Sequence, residues 1–155
     1  MPDAFVRLEQ MLPLIEERLA AGESVQFTPR GTSMRPTIYG GRDQVVLSPL
    51  PEKLKKYDLP LYRRDDGQFV LHRIVKAGES FTCIGDNQFI YEPGVRQDQM
   101  LALATGFYRK GKYYSVDGTL YKLYVRLWCV SRPVRGFVQR VWYGVVCRIK
   151  KLLGK

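Results

Sequence analysis

Between Ser24 and Val116 the chain breaks into short β-prone runs separated by turn signals, and this punctuation restricts the possible fold more than any other feature. Ser24–Thr28 alternates, with Val25 and Phe27 on one face. Tyr39–Asp43 reads as a turn, and Gln44–Leu47 follows as a strand. Pro49 and Pro51 impose an irregular link, and Lys53–Lys56 reads as a solvated basic turn. Leu59–Tyr62 is extended, Asp66-Gly67 is a hairpin signal, and Phe69–Val75 is the strongly β-prone return strand. A turn at Ala77–Glu79 leads to a strand at Ser80–Ile84. Leu101–Arg109 and Tyr113–Val116 then read as a hairpin joined through Lys110–Lys112. About seven short strands at this spacing predict a compact, mainly antiparallel β domain.

Helical periodicity flanks that domain on both sides. Phe5, Leu8, Leu12, Ile15 and Leu19 recur every three or four residues, with Asp3 placed to cap the start and Gly22 to stop the helix. Pro13 inside the pattern should kink or restart it. Beyond Asp117, Leu120–Val130 is helical in pattern and Ser131-Arg132-Pro133 breaks it. Val134, Phe137, Val138, Val141, Trp142, Val145, Val146, Ile149, Leu152 and Leu153 then form a second apolar stripe. The expected class is therefore α+β. It comprises an N-terminal helix over 1–22, a β domain over 23–117 and a helical tail over 118–155. With 155 residues and 45% hydrophobic content, this amounts to one domain with appendages.

The net charge of +10 is concentrated in the tail. Asp117 is the last acid, and nine basic residues follow it. Residues 1–117 hold the other 16 cations against all 15 acids, a net of only +1. An anionic partner therefore belongs to the tail. A basic amphipathic helix carrying Trp142 and Phe137 suits the interface of an anionic membrane. The competing reading is a helix packed on the β domain with its cations merely solvated. The longest uncharged run of the second tail piece, Val141–Cys147, is too short to cross a bilayer. Residues 1–21 carry Asp3, Glu9, Glu16 and Glu17, which argues against a secretory signal. The expectation is a peripheral, membrane-associated protein on the cytoplasmic side.

Three cysteines without a Cys-x-x-Cys pair, together with a single histidine, argue against a disulfide framework and against a metal site. Cys83, Cys129 and Cys147 read as small buried hydrophobes, and no cofactor is expected.

Three local features could carry chemistry. Gly31-Thr32-Ser33-Met34-Arg35-Pro36-Thr37 holds a hydroxyl between a glycine and a proline. Val70-Leu71-His72-Arg73-Ile74 places the only imidazole in an apolar strand, and Gly85-Asp86-Asn87 closes the next strand. A serine hydroxyl needs a base within hydrogen-bond reach to become a nucleophile, and a carboxylate can orient that base. Each feature also has a plainer reading. Ser33 could cap the next turn, His72 could be a satisfied half-buried histidine, and Asp86 could bond its own backbone. By default Arg35 and Arg73 are solvated charges.

Taken in order, Gly-x-Ser-Met-x-Pro-Thr, a Gly-Arg-Asp before a strand, His-Arg-Ile and Gly-Asp-Asn resemble the type I signal peptidase superfamily, which includes the self-cleaving SOS repressors. The resemblance covers roughly residues 24–106 and is to the Ser-His branch. It implies the β fold of that superfamily, Ser33 as nucleophile and His72 as general base. The orienting acid falls six positions beyond Asp86, at Glu92, where the branch has Asp. Asp86 would then hold the turn beside the site and remains the alternative acid. Gly31 stands where many signal peptidases have a serine, so the resemblance leaves the oxyanion to the Ser33 backbone N–H, with Thr32 as helper and Met34 beside it.

The expected function is a serine endopeptidase that cleaves a peptide leader or precursor near a membrane. The expected partners are that peptide and an anionic membrane surface bound through residues 118–155. The alternative is a catalytically weak or inactive peptide-binding module docked at the membrane. A nucleic-acid role for the basic tail ranks lower, because no helix-turn-helix pattern accompanies it.

Overall fold

The periodic N-terminal segment forms helix α1 (Leu8–Ala20) in the computed structural model, which describes residues 8–152. Ile15 and Leu19 bury its apolar face in the core. Pro13 does not restart this helix, which runs continuously through it. The missing N–H costs one bond to the preceding turn, and burial of Ile15 and Leu19 offsets it. Asp3 and Phe5 lie outside the described residues.

Nine strands follow among the described residues: β1 (Val25–Phe27), β2 (Gln44–Ser48), β3 (Pro60–Arg63), β4 (Phe69–Leu71), β5 (Arg73–Lys76), β6 (Phe81–Ile84), β7 (Glu92–Val95), β8 (Met100–Arg109) and β9 (Lys112–Ser115). All pairings are antiparallel, so the chain is α+β as its pattern implied. The larger sheet runs β1-β2-β8-β3-β4, with β9 also on β8. The smaller sheet runs β5-β6-β7. Strand β8 is the spine of the larger sheet. One edge pairs with β2 over Leu103–Tyr108, and the other is shared by β3 and β9.

Two expectations need correction here. Phe69–Val75 is not one strand: β4 pairs with β3 in the larger sheet, β5 pairs with β6 in the smaller, and His72 is the residue between them. Leu71 accordingly belongs to one core cluster and Ile74 to the other. The run Phe69–Val75 is β-prone throughout, so composition alone cannot reveal the change of partner. Strand β7 was not anticipated, because Pro93 and Gly94 disfavour a strand interior. It pairs only with β6, and an edge strand tolerates proline.

The tail forms α2 (Thr119–Val130) and α3 (Arg132–Leu152), separated at Ser131. Pro133 falls in the first turn of α3, where its missing N–H leaves no bond unmade. One face of α2 docks on the β domain through Tyr121, buried Val125 and Trp128. The other face, with Leu120, Leu123 and Leu127, stays exposed. Among the described residues no helix is long and apolar enough to cross a membrane.

Candidate active site

Ser33 lies in the loop between β1 and β2. Gly31 turns the chain with φ +88°, a backbone angle that side-chain-bearing residues rarely adopt. Met34 then buries in the same core cluster as Leu71, so the residues beside Ser33 and His72 share one hydrophobic anchor. The Ile38 N–H donates to Met34 O at 2.9 Å and tightens the turn. On its other side the loop rests on the turn after β6. The Asn87 N–H donates to Ser33 O at 2.7 Å, and Asn87 Nδ2 donates to Thr32 O at 3.3 Å. A Cβ on Gly85 would sit 2.6 Å from Ser33 O and 3.0 Å from Ser33 Cβ. Only glycine permits this approach.

The same glycine locates the histidine. Arg73 and Ile84 form the outermost pair of the β5–β6 ladder, and His72 and Gly85 are the residues just beyond it on the two strands. Antiparallel partners lie about 5 Å apart at Cα. Gly85 supports the Ser33 loop at the end of the ladder that His72 precedes. No hydrogen bond joins Ser33 Oγ to the imidazole in this structure, and among the described residues the Ser33 N–H has no acceptor.

Strand β7 supplies the acid. Glu92 pairs with Cys83 on β6, which brings its side chain back towards β3 and β4. Glu92 Oε2 lies 3.6 Å from His72 Nδ1, and the Tyr62 hydroxyl lies 3.4 Å from the same nitrogen. Tyr62 donates to Glu92 Oε2 at 2.7 Å. Arg64 adds a two-pronged contact, Nε to Oε1 at 2.6 Å and Nη2 to Oε2 at 2.7 Å. Partial burial works against the Glu92 carboxylate, but Arg64 and Tyr62 outweigh it and hold the group below the usual range. Burial, then Glu92, pushes the Tyr62 hydroxyl far up and keeps it a donor.

His72 is only 3% exposed. Burial lowers its pKa to about 4 despite the opposing pull of Glu92, so the ring is neutral near pH 7. Acceptors cluster around Nδ1, which places the proton there and leaves Nε2 as the free base.

Asp86 has a different task. Arg73 Nε donates to its Oδ1 at 2.8 Å and Arg73 Nη2 to its Oδ2 at 2.7 Å, while the Thr37 hydroxyl donates to Oδ2. Arg73 is fully buried, which corrects the expectation of a solvated charge. It also donates to Tyr57 O at 3.1 Å and to the Tyr121 hydroxyl at 3.2 Å. Burial opposes its charge, but Asp86 outweighs that and holds the guanidinium firmly protonated. Trp128 Nε1 donates to Asp86 O at 3.0 Å, so α2 buttresses the turn on which Ser33 rests. With both oxygens engaged, Asp86 faces Arg73 and Thr37, and Glu92 is the acid beside His72. Arg35 is exposed, its guanidinium 5.2 Å from the Tyr39 ring centre.

Sequence reading missed Tyr62 and Arg64, which hold the acid. Nothing local marks them: Arg64 reads as a hairpin residue and Tyr62 as strand core, and only the packing of β7 against β3 brings them to Glu92. Cys83 and Cys129 are free thiols, buried and half-buried, and Cys147 lies outside the described side chains. No family model, curated protein or solved structure matches this chain.

Proposed function

We propose that this protein is a serine endopeptidase of the signal-peptidase-like type, with Ser33 as nucleophile, His72 as general base and Glu92 as the orienting acid. The observation that carries this reading is the meeting of three distant segments at one corner. Ser33 rests on Gly85, His72 lies one residue beyond the β5–β6 ladder whose β6 end leads into Gly85, and Glu92 Oε2 stands 3.6 Å from His72 Nδ1. The hydrogen bond from Ser33 Oγ to His72 forms on substrate binding, since catalytic hydrogen bonds are often loose in a free enzyme.

An extended peptide lies along the unpaired edge of β4, which leads directly into His72. Ser33 Oγ attacks the scissile carbonyl while its proton passes to His72 Nε2. The resulting imidazolium is stabilised by the Glu92 carboxylate. The Ser33 N–H, with Thr32 beside it, takes the oxyanion. Collapse of the adduct expels the amine, which receives the proton from His72. Water then repeats the sequence to release the acyl group, with His72 again as base.

The tail brings this chemistry to a membrane surface. Leu127, Val134, Phe137, Val141 and Trp142 are all more than half exposed along α2 and α3, with Arg126, Arg140 and Arg148 exposed among them. A stripe of that composition suits an anionic bilayer interface. The peptide cut is accordingly a leader or precursor presented there.

Ser33→Ala tests the mechanism. A fluorophosphonate probe should label the wild-type chain at Ser33, leave the variant unlabelled and leave folding unchanged by circular dichroism. Labelling that persists in the variant would rule out Ser33 as nucleophile. Peptide binding without labelling of the wild type would favour the non-catalytic module.

A further inference from the structure

A second cluster of charge lies where the α2–α3 joint crosses the smaller sheet. A cleft of about 370 Å³ is lined there by Lys56, Tyr57, Lys76, Tyr91, Cys129 and Arg132, among others, with no acidic residue in its wall. None of its three cations forms an ion pair among the described residues. Lys56 and Lys76 are exposed, and Lys56 Nζ lies 5.1 Å from the Tyr57 ring centre.

Arg132 is the unusual member. It is 3% exposed, its Nε makes no hydrogen bond, and its protein contacts are a long one from Nη2 to Gly85 O at 3.5 Å and the Tyr91 ring at 5.9 Å. Burying a guanidinium without a counter-charge is costly, and an unmet buried donor adds to that cost. The neighbouring buried arginine, Arg73, solves this problem with Asp86, both of whose oxygens are thereby engaged. Arg132 has no such partner among the described residues. An anion in the cleft would supply it.

The donor set indicates which anion. A planar guanidinium and two flexible ammonium groups around one cleft match the several oxygens and the extra charge of a phosphate better than they match a single carboxylate. Tyr57 and Thr82, also in the wall, add hydroxyl donors. The cleft is larger than a bare phosphate needs, and its rim ends on Val130, 73% exposed, beside Leu127 and Val134 of the apolar stripe.

We propose that this cleft is a phosphate-binding site, taking a phosphate monoester or diester either as a soluble ion or as the headgroup of an anionic phospholipid. The proposal does not rest on the serine-peptidase reading, and none of its readouts uses peptidase activity.

The test uses the full chain and the double variant Lys56→Ala/Lys76→Ala, whose exposed side chains leave the fold intact. A second double variant, Arg18→Ala/Lys112→Ala, removes the same charge from exposed positions on α1 and β9 that line neither the cleft nor the apolar stripe. Inorganic phosphate is titrated by calorimetry, and binding to phosphatidylglycerol–phosphatidylcholine vesicles is followed by flotation. Phosphate should bind saturably and about 30-fold more weakly to the cleft variant than to the control variant. If vesicle binding falls by the same factor in the cleft variant alone, the source is a lipid headgroup. If phosphate binding falls and vesicle binding falls equally in both variants, the source is a soluble phosphate ester. Equal effects of the two variants on both probes, or no effect of the cleft variant on either, would overturn the proposal.

Discussion

His72 is held between two opposed forces, burial that disfavours its charge and a carboxylate that favours it, and burial wins. The proposed mechanism needs His72 neutral as base, so kcat/KM should rise tenfold per pH unit below about 4 and stay level from pH 5 upward. A midpoint near the ordinary value of about 6.5 would show that burial does not control the ring. Glu92→Gln removes the raising influence, so the midpoint should move further down. The same change should cut kcat/KM by about 100-fold to 10,000-fold, because the imidazolium loses its counter-charge. The stability consequence follows from the depressed folded-state pKa. An unfolded chain takes up this proton near pH 6.5, but the folded one waits until about 4. The His72 contribution is therefore complete above about 6.5, is lost as pH falls towards 4 and is constant below it. It amounts to about 3 kcal/mol, readable from urea unfolding at several pH values and absent in His72→Gln.

At the scale of elements, the turn Gly85-Asp86-Asn87 joins the serine loop, the smaller sheet and α2. Gly85→Ala puts a methyl group against Ser33 backbone, so the serine loop must shift. Its stability loss should be about 1–3 kcal/mol, with a larger proportional loss of activity and KM affected less than kcat. Breaking the ion pair beneath the turn is more severe. Arg73→Ala leaves Asp86 buried and charged without its partner and should cost about 3–5 kcal/mol in urea unfolding. Adding Asp86→Ala should recover part of that loss, because it removes the stranded charge. If the second substitution deepened the loss instead, Asp86 would matter more to Thr37 and Trp128 than to Arg73.

At the scale of the molecule, a nearly neutral β domain is joined to a strongly basic helical pair with an exposed apolar stripe. The proposed membrane docking predicts that Phe137→Ser with Trp142→Ser, which removes two exposed aromatic side chains, weakens binding to anionic vesicles about tenfold or more at fixed salt. The β domain should keep its thermal midpoint, since both side chains point to solvent. Added salt should weaken wild-type binding as well, by screening Arg126, Arg140 and Arg148.

The sequence by itself determined what is local. β-prone runs bounded by turn signals marked most strands, the three-to-four spacing marked all three helices, and Asp66-Gly67 marked the β3–β4 hairpin. The Ser33, His72 and Gly85-Asp86-Asn87 stretches stood out because their residue types are chemically capable. The tertiary structure decided what depends on pairing between distant segments. It split Phe69–Val75 at His72, because strand partners are chosen across the sheet and leave no trace in the period. It made Pro93 and Gly94 part of an edge strand, and through that strand carried Glu92 to His72. It turned Arg73 from a presumed surface charge into the buried partner of Asp86, and left Arg132 buried beside an acid-free cleft. Burial and counter-charge are properties of the assembled neighbourhood, and the residue alone does not encode them.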